Sequence, residues 1–397
     1  MATPAQTRAR GAGNDFSPLQ MFALIFVVCT GFSSQMVMPL WIGAIIDNLG
    51  LTQKEAGSIA SIEFMAVALV SVVVAVQVHR FNAKLTASVG LVLLLLGNLM
   101  AAYADSASML TMCRVLTGVG KGLVVAITFS LVAGTSHPTR GFALLNVSYA
   151  VFSTVFYLVV PTFIKMNGAA GAFLMMAAVA GLGMVFLYWF PNRTLAATEL
   201  KGGRLRDIPA YGYVALGALV ILWTGHNAVW TFIERLGTRV DLSLQEIGAV
   251  LSLAAFLTIG GPSLARLIDT RFGYTKPIIT ATSIKILVVM AMVYVPLGWL
   301  YMGTVPLFLI MALFIVPYVM GILSLADPAG RLAAASSAAM TAGGSLGALL
   351  GGYTADSFGY SGLAWAAVVN FVVVIALVAM IAPRLRSQGV AETPAVS

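Results

Sequence analysis

The chain is poor in charge and nearly without cysteine. Asp, Glu, Lys and Arg make up 9% of its 397 residues, whereas 60% of the residues are hydrophobic. Soluble domains are charged at about a quarter of their positions, so this composition excludes an ordinary water-soluble protein and indicates one whose main solvent is lipid. Cys29 and Cys113 both lie in apolar stretches, which argues against a disulfide framework.

Motifs of enzymes and metal sites are also missing. The sequence contains no G-x-S-x-G, no H-E-x-x-H and no Cys/His metal spacing. Its histidines are scattered over two polar segments and one apolar segment. The stretch "GVGKG" at 118–122 only partly matches a nucleotide-binding loop, and no strand precedes it. We therefore predict a protein that is not an enzyme, with no catalytic residues, metal or cofactor.

Long apolar runs dominate what is present. A helix needs about 20 mostly apolar residues to cross a bilayer. The polar stretch "MATPAQTRARGAGNDFSPLQ" precedes the first run and predicts a soluble tail rather than a cleaved signal peptide. We predict an all-α polytopic membrane protein with 12 transmembrane helices. The predicted spans are 20–46, 53–78, 85–104, 107–134, 142–165, 168–190, 211–236, 245–265, 277–299, 303–325, 332–352 and 362–383.

Lysine and arginine are unevenly distributed between the two sides of these spans. With both termini cytoplasmic, fifteen of the 22 fall in cytoplasmic segments, four on the opposite side and three within spans. Such a bias fixes the orientation of membrane proteins. The net charge of +8 therefore sets orientation and does not indicate a nucleic-acid partner. We predict an integral protein of a bacterial cytoplasmic (inner) membrane, surrounded by lipid and monomeric.

The two halves of the chain share a spacing. The longest polar interruption, 190–212, leaves six spans on each side, and His79/Asp269 and Pro138/Pro328 are both 190 residues apart. Repeated halves are common in secondary transporters and place the solute site near mid-membrane. The predicted units are a cytoplasmic tail (1–19), a first six-helix bundle (20–190), a cytoplasmic linker (191–210), a second six-helix bundle (211–383) and a cytoplasmic tail (384–397), with the bundles related by a pseudo-two-fold repeat.

The loops after spans 2 and 8 also carry a recognisable sequence pattern. The stretch "GGPSLARLIDTRFGYTK" at 260–276 resembles the loop after the second span of each half in the major facilitator superfamily, through Asp269 and Arg271. The first-half equivalent, "VAVQVHRFNAK", has His79 and Arg80 where an acid and a base are expected. The resemblance implies that these four residues act at the inward gate, and that two bundles rock around a central cavity.

The fourth span also resembles this superfamily. The family pattern of an early arginine followed by spaced glycines is matched in "RVLTGVGKG" by Arg114, Gly118 and Gly120. The fifth span lacks the G-x-x-x-G-P-x-x-G-G pattern typical of drug/proton antiporters in the superfamily. Gly118 and Gly122 form a G-x-x-x-G motif, which predicts close helix packing.

Charges inside the spans are the strongest functional signal. A charge at the centre of a membrane helix costs about 2.5–3.5 kcal/mol, and such residues face a wet cavity or a partner. Glu63 in span 2 and Arg114 in span 4 lie at the same depth to within about one turn, because each helix rises about 1.5 Å per residue. We predict that they can pair, either as a proton site or as a static pair that holds spans 2 and 4 together. Lys121 is then free to attract an anionic solute; a structural ion pair at Lys121 is the alternative.

Span 7 carries a second polar group in "ILWTGHNAVWTFIERLG" at 221–237. His226 and Asn227 fall near its middle, where a histidine can relay a proton, bind a solute or simply be a satisfied core residue. Glu234 lies near the outer end and is a candidate proton carrier or gate residue. Lys285 in span 9, a span expected at the periphery, is predicted to snorkel towards the cytoplasmic surface.

The function predicted from these features is secondary active transport by alternating access, with protons as the coupling ion and a small organic anion, a carboxylate or aromatic acid, as solute. A proton-driven multidrug or metabolite efflux pump and a non-transporting sensor or scaffold are the alternatives. The candidate solute-binding residues are Lys121, Arg114, Gln35, Asn146, Tyr149, His226, Asn227, Trp230 and Tyr318; the candidate proton carriers are Glu63, His226 and Glu234.

Overall fold

The computed structural model describes residues 16–194 and 208–387, called here the first and second halves. Most of the predicted linker and both distal tails lie outside these ranges. The described residues are almost entirely helical, and their only extended pairing is a single bridge between Asn82 and Thr194. The prediction of an all-α membrane protein is confirmed.

Thirteen α-helices build the described part of the chain. In the first half they are α1 (Pro18–Met36), α2 (Met38–Leu49), α3 (Gln53–Val76), α4 (Ala83–Ala102), α5 (Ala107–Ala133) and α6 (Pro138–Phe186). In the second half they are α7 (Ala210–Thr231), α8 (Ile233–Thr238), α9 (Leu244–Leu257), α10 (Gly260–Ile268), α11 (Thr275–Tyr294), α12 (Gly298–Ala326) and α13 (Arg331–Ser387).

These helices correspond to the twelve predicted spans. Helices α1 and α2 together form span 1, α7 and α8 form span 7, and α9 and α10 form span 8. Helix α6 contains spans 5 and 6, and α13 contains spans 11 and 12. Each long helix turns at a glycine with positive φ, Gly168 (58°) and Gly359 (67°), a conformation that L side chains disfavour. The Asn48 side chain fixes the first turn by accepting the Ala169 N–H at 2.8 Å.

The sequence sets the start of spans 2 and 8 in the same way. At Thr52 and Ser243 the hydroxyl accepts a hydrogen bond from the backbone three residues on, and the side chains of Glu55 and Glu246 bond back to the cap. This capping box satisfies backbone N–H groups that the first helical turn leaves free. The two caps lie one residue from the 190-residue offset, which supports a repeat between the halves.

The halves meet closely at the end that holds the 50–52 turn, called here the closed end. A Cβ on Gly57 in α3 would lie 2.8 Å from the Gly352 Cα in α13, and one on Gly248 in α9 would lie 2.5 Å from the Tyr157 carbonyl in α6. Only small residues allow helices to approach so closely. Within the described residues, the hydrogen bonds and ion pairs that join the halves lie towards this end or at mid-depth, and none joins them at the opposite end.

Candidate functional site

The membrane interior of the first half holds a cluster of charged and polar side chains. The Arg114 Nη1 atom lies 3.7 Å from the Glu63 Oε2 atom, and both side chains are buried. Ser34 donates a short hydrogen bond to the other Glu63 oxygen, and Arg114 Nη2 donates to Asn98 Oδ1 at 2.8 Å. The structure therefore brings together the Glu63 and Arg114 pair that the sequence predicts.

Lys121 lies two turns further along α5 and is 2% exposed. Its Nζ atom donates to Gln35 Oε1 at 2.8 Å and lies 5.3 Å from the ring centre of Phe64 and 5.6 Å from that of Phe32. Its partner is thus a neutral amide with two aromatic faces, rather than a carboxylate in an ion pair. We call Ser34, Gln35, Glu63, Arg114 and Lys121 the Lys121 cluster.

A small cavity opens beside this cluster. Its volume is about 10 Å³, roughly the space that one water molecule needs. It is lined by Ser34, Gln35, Met38, Trp41, Ala60, Glu63, Phe64 and Lys121. Both the lysine and the carboxylate line this cavity, so a polar solute group or a water entering here would meet both.

The glycines of α5 bring the cluster together. A Cβ on Gly118 would lie 2.7 Å from the Glu63 carbonyl, and one on Gly122 would lie 2.8 Å from the Val70 side chain. Gly120 faces the other way, against Gly90 of α4. Helix α5 therefore packs directly on α3 and α4 through its small residues, and this close packing holds Arg114 against Glu63.

The second half places its polar residues differently. Lys285 is completely buried, and its Nζ atom lies 3.0 Å from His226 Nδ1 and 3.8 Å from the ring centre of Phe308. The prediction that Lys285 snorkels to the surface is wrong, because this face of α11 turns into the bundle, where α7, α12 and α13 enclose the ammonium. His226 points at Lys285 and does not contact Lys121.

Aromatic residues lie between the Lys121 cluster and the contact of Lys285 with His226. The Tyr157 ring in the first half packs edge-on against Trp230 in the second, with centres 6.3 Å apart. The Tyr157 hydroxyl and the Trp223 indole N–H are buried and have no hydrogen-bond partner among the described residues. Asn227 is buried and donates to the Trp223 carbonyl at 3.0 Å. The junction between the halves thus offers ring faces and free polar groups.

An ion cluster joins the halves at the closed end. Arg235 donates two hydrogen bonds to the Asp47 carboxylate, at 2.6 and 2.7 Å, and a further bond to Glu234 at 2.6 Å. Asp47 belongs to the first half and the other two to the second. A Cβ on Gly43 would lie 2.1 Å from Glu234, so the glycine makes room for the cluster. The geometry at Glu234 fits a clamp that holds this end shut.

The four predicted gate residues lie at the opposite end. His79, Arg80, Asp269 and Arg271 are all exposed, and no ion pair links their two loops within the described residues. Asp269 has a positive φ of 51° at the end of α10. In this conformation no ion pair between described residues locks the two loops together.

The remaining candidates do not join the Lys121 cluster. Asn146 is exposed, and Tyr318 is buried with its hydroxyl donating to the Ala265 carbonyl at 3.3 Å, so it packs α12 on α10. The Tyr149 ring contacts Phe32 edge-on, with centres 5.5 Å apart, and so borders the aromatic side of the cluster.

Sequence reasoning missed several contributors to these sites. Asn98 is a lone amide in an apolar run, and Ser34 precedes Gln35, so both carried a local signal of polarity within a span. Asp47 carried none, because its partner Arg235 lies 188 residues away. Among the residues that the structure describes, no group of three or more His, Cys, Asp or Glu side chains has the arrangement to hold a metal ion.

Comparison with known proteins agrees with this architecture. The helices and the buried polar clusters define a polytopic membrane transport protein. The chain belongs to the Major Facilitator Superfamily, whose family model matches residues 23–341.

Several relatives and solved structures are similar to this chain. A purine ribonucleoside efflux pump, NepI, of Escherichia coli O6:K15:H31 (strain 536 / UPEC) is 23% identical over 341 residues, which cover 79% of this chain and 81% of the relative. The crystal structure of the nucleoside transporter NupG has a TM-score of 0.73 at 13% identity and covers 93% of this chain and 100% of that one. A bacterial homologue of the human lysosomal transporter Spinster, in its inward-facing and occupied conformation, has a TM-score of 0.72 at 14% identity, with 100% of both chains covered. At these low identities, the likeness to the two solved structures shows the fold alone.

Proposed function

We propose that this transporter moves a small organic anion, such as a carboxylate or an aromatic acid, together with protons by alternating access. The observation that carries the proposal is the charge balance of the Lys121 cluster. Arg114 and Lys121 contribute two positive charges and Glu63 one negative charge, all buried. A buried surplus of positive charge is costly unless an anion balances it. A solute anion beside Lys121 supplies that balance.

The position of the cluster suits alternating access. Phe64 contacts the Lys121 ammonium through its ring, and the same ring lies 3.3 Å from where a Cβ on Gly344 of α13 would stand. Lys121 is therefore one aromatic ring away from the second half. A solute bound here touches the surface along which the two halves move, so its binding free energy can favour one arrangement over another.

Glu63 supports a role for protons. Its carboxylate is the one negative charge of the cluster, and it contacts both Ser34 and Arg114. Protonation of Glu63 would leave the two cations without a counter-charge and strengthen the attraction for an anion. In this mechanism a proton and an anion bind together and leave together, which is the requirement for coupled movement in one direction.

Export of purine ribonucleosides is a second candidate. Two observations favour it: the similarity to the purine ribonucleoside efflux pump NepI, and the aromatic and polar surface at the junction between the halves. There the Tyr157 hydroxyl and the Trp223 indole N–H lack partners among the described residues, and aromatic rings surround them. A heteroaromatic base with hydrogen-bonding edges matches such a surface.

Transport by purified protein in liposomes tests both candidates. We expect liposomes that contain wild-type protein to take up benzoate under an imposed pH gradient faster than protein-free liposomes, which report the passive entry of the neutral acid. Lys121→Met should reduce this at least about tenfold, the effect of about 1.4 kcal/mol of lost binding free energy. Lys165→Met, at an exposed lysine, is the matched control and should transport normally. Accumulation of adenosine but not benzoate would favour the second candidate, and benzoate accumulation by Lys121→Met at the wild-type level would refute the anion site.

A further inference from the structure

The Lys285 pair, made of Lys285 and His226, is a second buried polar site that the proposed anion site does not use. Lys285 is 0% exposed and His226 is 5% exposed. The helices packed around the lysine contribute His226 from α7, Phe308 from α12 and Phe371 from α13. Its own helix contributes Thr282, one turn away, whose hydroxyl donates to the Ile278 carbonyl. Among the described residues, His226 is the sole titratable group in contact with Lys285.

This environment differs from that of an ordinary buried ion pair. Buried charges in proteins are normally paired with an opposite charge. Here the Nζ atom has an imidazole nitrogen at 3.0 Å, the Phe308 carbonyl at 3.4 Å, and the ring centres of Phe308 and Phe371 at 3.8 and 5.2 Å. Aromatic faces and a carbonyl stabilise an ammonium only partly. No carboxylate contacts the lysine in the described part of the chain, so nothing fixes its charge.

The contact between the two nitrogens limits the number of protons. At 3.0 Å, one nitrogen must donate and the other must accept. If both groups were charged, Nδ1 would carry a proton and offer no lone pair, and two positive charges would stand about 3 Å apart in a low-dielectric interior. The pair therefore holds either one positive charge or none, and these two states differ by one proton.

His226 is the residue through which a proton can reach Lys285. Its ring stacks on Phe308 and lies parallel to Trp230, with centres 4.7 and 6.4 Å apart, and Trp223 meets it edge-on at 5.0 Å. Trp230 in turn contacts Tyr157 of the first half. His226 thus stands between the sealed lysine and the junction of the halves, and it retains a small exposed surface.

We propose that Lys285 and His226 form a second proton-binding site, in which His226 transfers the proton and Lys285 holds it. In the neutral pair, Nδ1–H donates to the Lys285 amine. An incoming proton forms an N–H bond at His226 Nε2, the Nδ1–H bond breaks, and that proton forms the third N–H bond of the lysine. The product is an ammonium that donates to Nδ1, with a net gain of one proton. A coupling role for this site rests on the proposed transport function, whereas proton binding does not.

The proton count can be measured without any solute. Purified protein carrying ¹³C-labelled lysine is studied by NMR from about pH 5 to about pH 9, a range in which an ordinary lysine remains an ammonium. The Lys285 signal is the one that disappears in Lys285→Met and, if that variant fails to fold, in Lys285→Arg. We expect its Cε shift to change by one protonation step, and the midpoint of that step to move in His226→Gln. The proposal would be overturned by an unchanged ammonium signal over the whole range. It would also be overturned by a step whose midpoint is the same in His226→Gln as in the wild type.

Transport assays then separate this inference from the proposed function. Lys285→Met should keep exchange of benzoate or adenosine across the liposome membrane but lose accumulation driven by a pH gradient. Gradient-driven accumulation at the wild-type level in folded Lys285→Met would exclude a coupling role for the site. If wild-type protein transports neither probe, the proposed function fails, while the NMR measurement still decides whether the site binds a proton.

Discussion

The two halves of the molecule differ in whether a carboxylate lies beside their buried mid-membrane lysine. In the first half, Glu63 lies among the membrane helices beside two cations, and the loop after span 4 ends with His137, which precedes α6 and makes no side-chain cap hydrogen bond. In the second half, Asp327 lies in the loop after span 10, and Lys285 meets an imidazole with no carboxylate in contact among the described residues. Buried cations are thus accommodated in two different ways within one fold.

The first cluster is suited to binding an anion. Its two cations, Arg114 and Lys121, outnumber the Glu63 carboxylate, and protonation of Glu63 would increase the positive surplus. A lysine held by an imidazole and aromatic rings has no fixed counter-charge, so its own proton is the variable. Variants that make one half resemble the other therefore test whether this difference matters for stability and transport.

The largest expected effect comes from Glu63→Gln, which makes the first cluster free of carboxylates, like the Lys285 pair. Removing one partner of a buried ion pair leaves an uncompensated charge and costs about 3–5 kcal/mol. We expect a large fall in the thermal denaturation temperature in detergent and loss of pH-gradient-driven benzoate accumulation. The measurements are tryptophan fluorescence during heating and liposome transport.

Glu55→Gln is the matched control for this change. Glu55 is an exposed acid on the same helix, and glutamine preserves its capping box. We expect wild-type stability and transport. If Glu63→Gln were as stable as this control, the carboxylate would not be the counter-charge of the first cluster.

A smaller loss of stability is expected from Gly118→Ala, which alters the spacing of α3 and α5 without changing any charge. The new methyl group would lie 2.7 Å from the Glu63 carbonyl, so the two backbones must separate. Overpacking of this kind costs about 1–3 kcal/mol. Gly217→Ala is the control, because no atom lies within 4 Å of a Cβ there. Equal denaturation temperatures for the two variants would show that close packing at Gly118 is not required.

The features that follow regular helix geometry were predictable from the sequence. Glu63 and Arg114 come together because a fixed rise per residue places them at one depth, and Gly118 packs because small residues permit close approach. The twelve spans follow from the length of the apolar runs. Each of these inferences uses distances along one helix or between helices of known direction.

Features that depend on the rotation of a helix or on distant pairing were not predictable. In helix α11, Thr280, Thr282 and Ser283 are spread around the helix and form no single polar face, so the sequence does not show which side turns inwards. The contact of Asp47 with Arg235 joins residues 188 positions apart, and its register depends on how the two halves dock. A lone polar residue in an apolar span, such as Asn98, indicates burial but does not identify its partner.

The smallest expected effect comes from His137→Asp, which makes the loop after span 4 resemble the loop after span 10. Residues 137 and 327 have similar backbone angles, with φ/ψ of −129°/65° and −139°/84°. Asp327 accepts the Leu332 N–H at 3.0 Å, and hydrogen bonds from Arg331 lower the pKa of its carboxyl to about 2. Because that pKa is depressed in the folded state, the stabilisation is complete above the unfolded value of 3.8 and is lost only as the pH falls through about 2.

An aspartate at 137 should cap α6 and contribute about 0.5–1 kcal/mol, seen as a small rise in denaturation temperature. Since a carboxylate with a depressed pKa is already ionised at neutral pH, the rise should be the same at about pH 6 and about pH 8. Asp327→Asn, measured in parallel, should move the temperature the other way. If His137→Asp gave no rise while Asp327→Asn gave a fall, the similar backbone at 137 would not be enough to form the cap, and the two loops would differ in more than their side chains.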